Sequence, residues 1–421
     1  MRYWALSGLL FVSSVAAGAD ADDMDPMLGR IRERMKIHLA RVPDYLCQET
    51  VERAARASPG GEFKVRDTLR LEVGTVGDKE MFAWRDATRF SEKELADMVG
   101  SGTIGNGSFV LHARHVLGSH APEFAPRGEE LLDGRKTIRY DYEVPRERSG
   151  YRIRVHPRQA IVGFRGSFWV DADTLDLIRL EVIADDVPEE LGVAQAREVM
   201  DYAQVEIGDS SFLLPRASEL WMAGTTGDES RNRTRFHDCR QYSARSSVSF
   251  DEPSPPAKGA ATGRLAPRTA LELALESDID LEKVALGDPV LAAVRQMSQG
   301  GRAAVPAGSL ARGRIVRLDR ETMPVPHYVV AIEMDALELG GATAPLLATM
   351  LEAGPAAGLL RQEKRFMPTF TQKRPAKLGI LVAEQQRGQG VLLWDAKRPR
   401  IPRGLRMRWE TGATAEAVQE K

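Results

Sequence analysis

The chain has 421 residues, 43% of them hydrophobic and 28% charged, with a formal net charge of -2. Such a composition can bury sizeable cores and excludes a chain that is disordered overall. A chain of this length also exceeds what a single core usually organises, so two domains are expected.

The first residues, "MRYWALSGLLFVSSVAAGADADD", place one Arg before an apolar run that ends in Ala17-Gly18-Ala19 and an acidic continuation. This reads as a secretory signal peptide over residues 1–19, because the run is short for a membrane span and closes on small residues. A retained N-terminal anchor is the alternative. With no Cys near the cut, a lipidated N-terminus is not indicated, and no later run reaches the roughly 20 apolar residues of a membrane helix. A soluble protein outside the cytoplasm, periplasmic or otherwise exported, is expected.

A helix follows. Asp25 is placed to cap it, Pro26 suits its first turn, and Met24, Met27, Leu28, Ile31, Met35 and Leu39 recur at helical spacing until Pro43. From about Tyr45 to Phe250 the pattern changes to period two. In "TIRYDYEV", Ile138, Tyr140, Tyr142 and Val144 share one face, with Arg139, Asp141 and Glu143 on the other; "YRIRVH" repeats the alternation. Turn residues at Gly77-Asp78, Asp133-Gly134, Asp171 to Thr174, Gly208-Asp209 and Gly227-Asp228 join these half-buried strands into an antiparallel meander.

Within the meander, "MVGSGTIGNGSF" contains Gly100-x-Gly102-x-x-Gly105, the glycine spacing of a dinucleotide-binding loop. Such a loop needs a buried strand before it and a helix after it, whose N-terminus holds the pyrophosphate. The sequence predicts the reverse order: a helix over "SEKELADMV" leading in and a strand over "SFVLHARHVL" leading out. The glycines are therefore read as a helix C-terminal turn and no nucleotide cofactor is expected. The same strand reading puts His112 and His115 on opposite faces, so they and His120 are not read as a zinc site. With no GxSxG elbow and no marked pair of carboxylates, no catalytic residue is assigned and an enzyme is not expected.

The two cysteines, Cys47 in "YLCQETVERAAR" and Cys239 in "FHDCRQYSAR", fall in the expected first and last strands of the meander. An even, minimal count in an exported chain favours a disulfide between them, two buried thiols being the alternative. In "HDC", His237 and Cys239 would share a side of the strand with Asp238 opposite, and nothing orients the pair as a nucleophile.

The N-terminal helix, the long meander and the run "GFRGSFWVDADTLDLIRLEV" together resemble the LolA, LolB and RseB group of periplasmic lipoprotein-sorting and lipid-sensing proteins. Within that group, "YLCQETVERAAR", "LDGRKTIRYDYEV" and "SELWMAGTTGDESRNRTRFHDCRQY" are similar to exported proteins of acidobacteria-like organisms. The resemblance covers about residues 20–250 and rests on strand patterns. It implies an incomplete barrel whose concave apolar face is covered by helices and can shelter acyl chains. The paired cysteines and a large C-terminal extension depart from the group.

The stretch "FDEPSPPAKGAATGRLAP" reads as a linker, placed at residues 252–267, because its Pro, Ala and Gly suit neither a long helix nor a central strand. Beyond it, residues 268–411 are expected to form a smaller β-rich, barrel-like domain with strands in "VALGDPVLAAVRQ", "AAVPAGSLARGRIVRLDR", "HYVVAIEMDALEL", "LGILVAE", "GVLLWDA" and "GLRMRWET". "TAPLLATMLEA" from Thr343 is read as its one internal helix, and residues 412–421 as a tail. The run "GDPVLAAV...VPAGSLARGRIVRL" resembles the small barrel domain of conjugation-pore proteins of the TrbI type.

The small net charge hides a split: residues 258–421 carry 24 basic and 18 acidic side chains, whereas residues 20–257 are net acidic. Lys397, Arg398, Arg400, Arg403, Arg406 and Arg408 crowd into "KRPRIPRGLRMR". Two readings stand: a patch for an anionic partner such as a membrane surface, or a solvated face offsetting the acidic first domain. Few aromatics interleave with the basic residues, and export argues against a nucleic-acid partner. The sequence thus predicts a mainly β protein: an antiparallel half-barrel with N-terminal and inserted helices, residues 20–251, followed by the barrel-like domain. Its expected role is non-catalytic, binding an apolar ligand or a lipid or lipoprotein tail in the half-barrel, with no cofactor and no metal. A scaffold for an envelope protein assembly is the main rival, and an enzyme of unrecognised type the third.

Overall fold

The structure is a computed structural model that describes residues 25–41, 45–76, 79–87, 90–91, 94–99, 102–241, 265, 267–298, 308–322, 325–339, 342–360 and 388–412. The signal-peptide reading, Gly100, the strand over "LGILVAE" and almost all of the linker and tail lie outside the described residues. Helix α1 (Pro26–Arg41) begins as its sequence dictates: the Asp25 carboxylate accepts from the amides of Met27 (2.9 Å) and Leu28 (3.2 Å). Its buried stripe is Leu28, Ile31, Met35 and His38.

The meander comprises β1 (Tyr45–Arg56), β2 (Lys64–Val76), β3 (Lys79–Trp84), α2 (Leu95–Val99), α3 (Leu111–Gly118), β4 (Glu123–Leu132), β5 (Arg135–Val144), β6 (Arg152–Val155), β7 (Arg158–Ile161), β8 (Gly163–Asp171), β9 (Leu177–Asp185), β10 (Val193–Ile207), β11 (Ser210–Gly224) and β12 (Glu229–Gln241). Ten of these strands form one antiparallel sheet in the order β3-β2-β1-β12-β11-β10-β9-β8-β5-β4, curled as a half-barrel, while β6 and β7 pair as a separate hairpin. The first strand lies beside the last, so β1 sits inside the sheet and not at its edge. Alternation decides the faces: Ile138, Tyr140, Tyr142 and Val144 are all buried, and their concave side is covered by α1 and α3.

Two sequence readings are corrected here. "SFVLHARHVL" is not a strand: its C-terminal part is α3, and its buried His112, Ala113, Val116 and Leu117 follow helical spacing. The short apolar run fits either period, and packing against α1 chooses the helix. Likewise "TAPLLATMLEA" is not a helix but two strands, Ala342–Pro345 and Ala348–Ala353. Pro345 is a poor helix-interior residue, and the flanking segments gain ladder partners from the strands beside them.

The C-terminal part holds β13 (Ala270–Leu275), β14 (Ile279–Asp280), β15 (Pro289–Ser298), β16 (Leu310–Glu321), β17 (His327–Leu339), β18 (Ala342–Pro345), β19 (Ala348–Ala353), β20 (Gly390–Asp395), β21 (Arg400–Ile401) and β22 (Arg406–Thr411). Its main sheet runs β18-β17-β16-β15-β13-β22-β19, with β20 also on β17. The Met350 amide donates to the Gln389 carbonyl at 3.2 Å, bringing the β19 and β20 ends together. The result is a small barrel filled by Trp394 and Trp409, both 0% exposed. Half-barrel and barrel share one apolar cluster, which includes Val51, Leu69 and Leu71 from the first and Leu271, Leu286 and Trp409 from the second. Backbone bonds cross the junction at Arg70 N to Leu286 O and Leu286 N to Thr68 O, each 2.8 Å.

Candidate functional site

The glycine loop enters the half-barrel and explains its own composition. Helices stand on both sides of it, α2 before and α3 after, so the expected order of helix then strand is corrected. No buried strand leads directly into the loop. The amides that a bound phosphate would use are taken by the chain itself: Glu80 on β3 accepts from Gly107 N (2.7 Å), Val110 N (2.9 Å) and Leu111 N (3.3 Å). An internal carboxylate thus occupies the positive end of α3. Gly105 and Gly107 are required by close approach. A Cβ on Gly105 would lie 2.9 Å from Leu220, and one on Gly107, whose φ is +101°, 2.9 Å from His112 Nε2.

That contact gives a direct test. Gly107→Ala should cost about 2–3 kcal/mol in thermal or denaturant unfolding, because a left-handed backbone and a collision with His112 add together. Gly128 has φ +89° with nothing within 4 Å of its Cβ position, so Gly128→Ala isolates the backbone part, about 1 kcal/mol. Equal losses in the two variants would show that the approach to His112 carries no energy.

Beneath the loop, the sheet's concave side carries polar groups that an apolar core would not need. Glu198 on β10 accepts from Ser108 Oγ at 2.5 Å, and its other oxygen lies 3.4 Å from His112 Nε2. Glu49 on β1 is 5% exposed; burial, then the neighbouring Glu80 and Glu198, push its carboxyl up to about 8, so it is neutral at pH 7. Burial also pushes Glu80 up, against the pull of its three amide donors and of His112. The phenols of Tyr45, Tyr151 and Tyr202 are shifted upward for the same first reason, desolvation. Tyr45 and Tyr202 hydroxyls, one Glu49 oxygen and the Nε2 atoms of His112 and His115 are buried without a hydrogen-bond partner among the described residues.

A cavity of about 940 Å³ opens beside the network, between β3, α2, the glycine loop, α3 and the β6–β7 hairpin. Phe82, Leu95, Ile104, Leu111 and Phe164 give it apolar walls, and His112, His115 and Tyr151 line it as well. The helical form of α3 sets His112 and His115 one turn apart on the same side, which corrects the opposite-face reading. His115 is held down by burial and by His112, while its hydrogen bond to the Arg148 backbone opposes that shift. Among the described residues, no group of three His, Cys, Asp or Glu side chains could hold a metal ion. The cavity is of ligand size and lies on the flank of the half-barrel, whose own hollow is packed.

Cys47 and Cys239 are joined by a disulfide between β1 and β12. The side assigned to Cys239 is corrected: a bulge at Asp238, φ +50°, turns Cys239 toward the core cluster while His237 stays exposed and hydrogen-bonds to Thr50. The basic run lies along the barrel beside its own acids. Arg400 pairs with Asp278 (3.5 Å), Arg403 with Glu276 (3.6 Å), Arg406 with Glu272 (3.4 Å) and Arg408 with Glu352 (3.4 Å). Lys397 and Arg398 occupy the turn before β21, where the Arg398 carbonyl accepts from Trp394 Nε1 at 2.6 Å. Sequence reasoning named none of Glu49, Glu80, Glu198 or Tyr202.

No family model matches the chain, and no curated protein matches it. Among solved structures it is similar to one from Vibrio parahaemolyticus described as a candidate outer membrane lipoprotein-sorting protein domain, at 12% identity and a TM-score of 0.29, covering 53% of this chain and 95% of that one. A DUF1329 family protein from Desulfovibrio piger ATCC 29098 is similar at 12% identity and a TM-score of 0.29, covering 54% of this chain and 98% of that one. The first of these bears the lipoprotein-sorting description that the sequence resemblance also named.

Proposed function

We propose that this is a non-catalytic, exported cell-envelope protein that holds an apolar ligand, of the lipid or lipoprotein-tail class, in the cavity flanking its half-barrel. The cavity beside α3 carries the reading. Its volume is in the range that encloses small ligands, and its apolar walls, Phe82, Leu95, Ile104, Leu111 and Phe164, would bury acyl carbons at about 0.8 kcal/mol for each CH₂. The N-terminal apolar run and the disulfide support export, since such bonds persist in oxidising compartments. We assign the arginines of "KRPRIPRGLRMR" to matching the acids of β13 and neighbouring segments, because four of the five face an internal carboxylate.

Native mass spectrometry of protein purified from a membrane-bearing host should show a bound species of lipid mass. Ile104→Trp, which fills part of the cavity, should remove most of it while leaving the unfolding midpoint close to that of the parent. A delipidated protein that takes up no acyl-bearing probe would refute the reading.

A further inference from the structure

Resting on that reading of the cavity, we propose that its ligand is an anionic amphiphile, with its acidic head against Lys79, Arg152 and the imidazole of His115. The lining is divided by chemistry. Apolar side chains make the walls, whereas the basic residues Lys79, Arg114, Arg152 and Arg154 come from three separate segments, β3, α3 and the hairpin. Acidic lining residues are already engaged: Glu80 holds the amides of the loop and α3, and Glu94 pairs with Arg154 at 3.3 Å. Among the described residues Lys79 and Arg152 have no ion-pair partner, so the positive charge at the mouth is not matched from within.

The His115 imidazole supplies the second observation. The His115 Nε2 is buried without a hydrogen-bond partner among the described residues, whereas the His112 Nε2 lies 3.4 Å from a Glu198 oxygen. Both rings line the cavity. A buried polar atom left unpaired is costly, and a head-group oxygen lodged beside His115 would pair it. A neutral chain would leave the His115 ring and the basic mouth unmet. A small anion without a chain would leave the apolar walls wet. Carboxylate and phosphate heads share the chemistry required.

The full-length protein, stripped of endogenous ligand, can be titrated by displacement of a fluorescent acyl probe with hexadecanoate, hexadecyl phosphate, hexadecanol and inorganic phosphate. Both anionic amphiphiles should bind at least on the order of tenfold tighter than hexadecanol, about 1.4 kcal/mol, and inorganic phosphate should not compete. The double variant Lys79→Gln/Arg152→Gln changes two surface side chains and should abolish that preference while hexadecanol affinity stays unchanged. Hexadecanol binding as tightly as hexadecanoate would overturn the anionic head and leave the apolar-ligand reading standing. Inorganic phosphate competing as well as hexadecyl phosphate would overturn the amphiphile. Failure of every chain-bearing probe would remove both.

Discussion

Replacing Cys47 and Cys239 together by alanine is expected to lower the unfolding free energy by up to about 5 kcal/mol, the chain-entropy value for a closed loop as long as this one. The two residues are 192 apart in sequence, so the bond removes a large set of open conformations from the unfolded chain. It also joins β1 and β12, whose pairing turns the meander back on its own first strand. Cys47 is 0% exposed and packs in the cluster that runs into the barrel. The loss should therefore reach both halves of the molecule: strand signal in far-ultraviolet circular dichroism and the fluorescence of Trp394 and Trp409 should shift to lower denaturant together. The unreduced protein, unfolded in denaturant, should present no reactive thiol. Two labelled thiols per chain in that sample, or an unchanged midpoint on reduction, would sink the prediction.

What the sequence made legible was whatever repeats locally. Asp25, Pro26 and the 3.6-residue stripe mark α1, and strict alternation in "TIRYDYEV" marks a strand with one buried face, because each pattern is complete within ten or so residues. The segment after the glycines is too short for its period to decide between helix and strand. Its choice depends on Glu80, a residue 27 positions from Gly107 that stabilises the α3 N-terminus. Likewise the two strands of "TAPLLATMLEA" exist because β17 and β22 offer them edges, information that the segment does not carry. The cavity is the least legible feature of all. Its walls come from β3, α2, the loop, α3 and the hairpin, and only the curl of the sheet brings these together. A faint signal was present in Glu49, an acidic residue at a position whose strand neighbours Cys47 and Val51 are inward and apolar. A charged residue on the buried side of an alternating strand marks a polar site that tertiary structure must account for.

That same residue should dominate the pH dependence of stability. The unfolded chain releases the Glu49 proton near the ordinary value of 4.5, whereas the folded protein holds it up to about 8. The folded form therefore binds the extra proton between those limits, and stability falls as pH rises from about 4.5 to about 8, with no further loss above. A gap of that size corresponds to about 5 kcal/mol as an upper estimate, since each pKa unit is worth about 1.4 kcal/mol. Glu80 is raised for the same reason and adds in the same direction, while His115, held down by burial, acts oppositely as pH falls through its unfolded value. Glu49→Gln keeps the shape and removes the titration. Its stability should match the parent below pH 4.5, exceed it by several kcal/mol at pH 8.5, and vary less between. Denaturant unfolding of the two proteins at half-unit steps from pH 4 to 9 reads the difference directly, free of every group they share. Parallel curves across that range would mean that Glu49 is ionised and solvated in the folded protein, and the polar network beneath the loop would then have to be open to water.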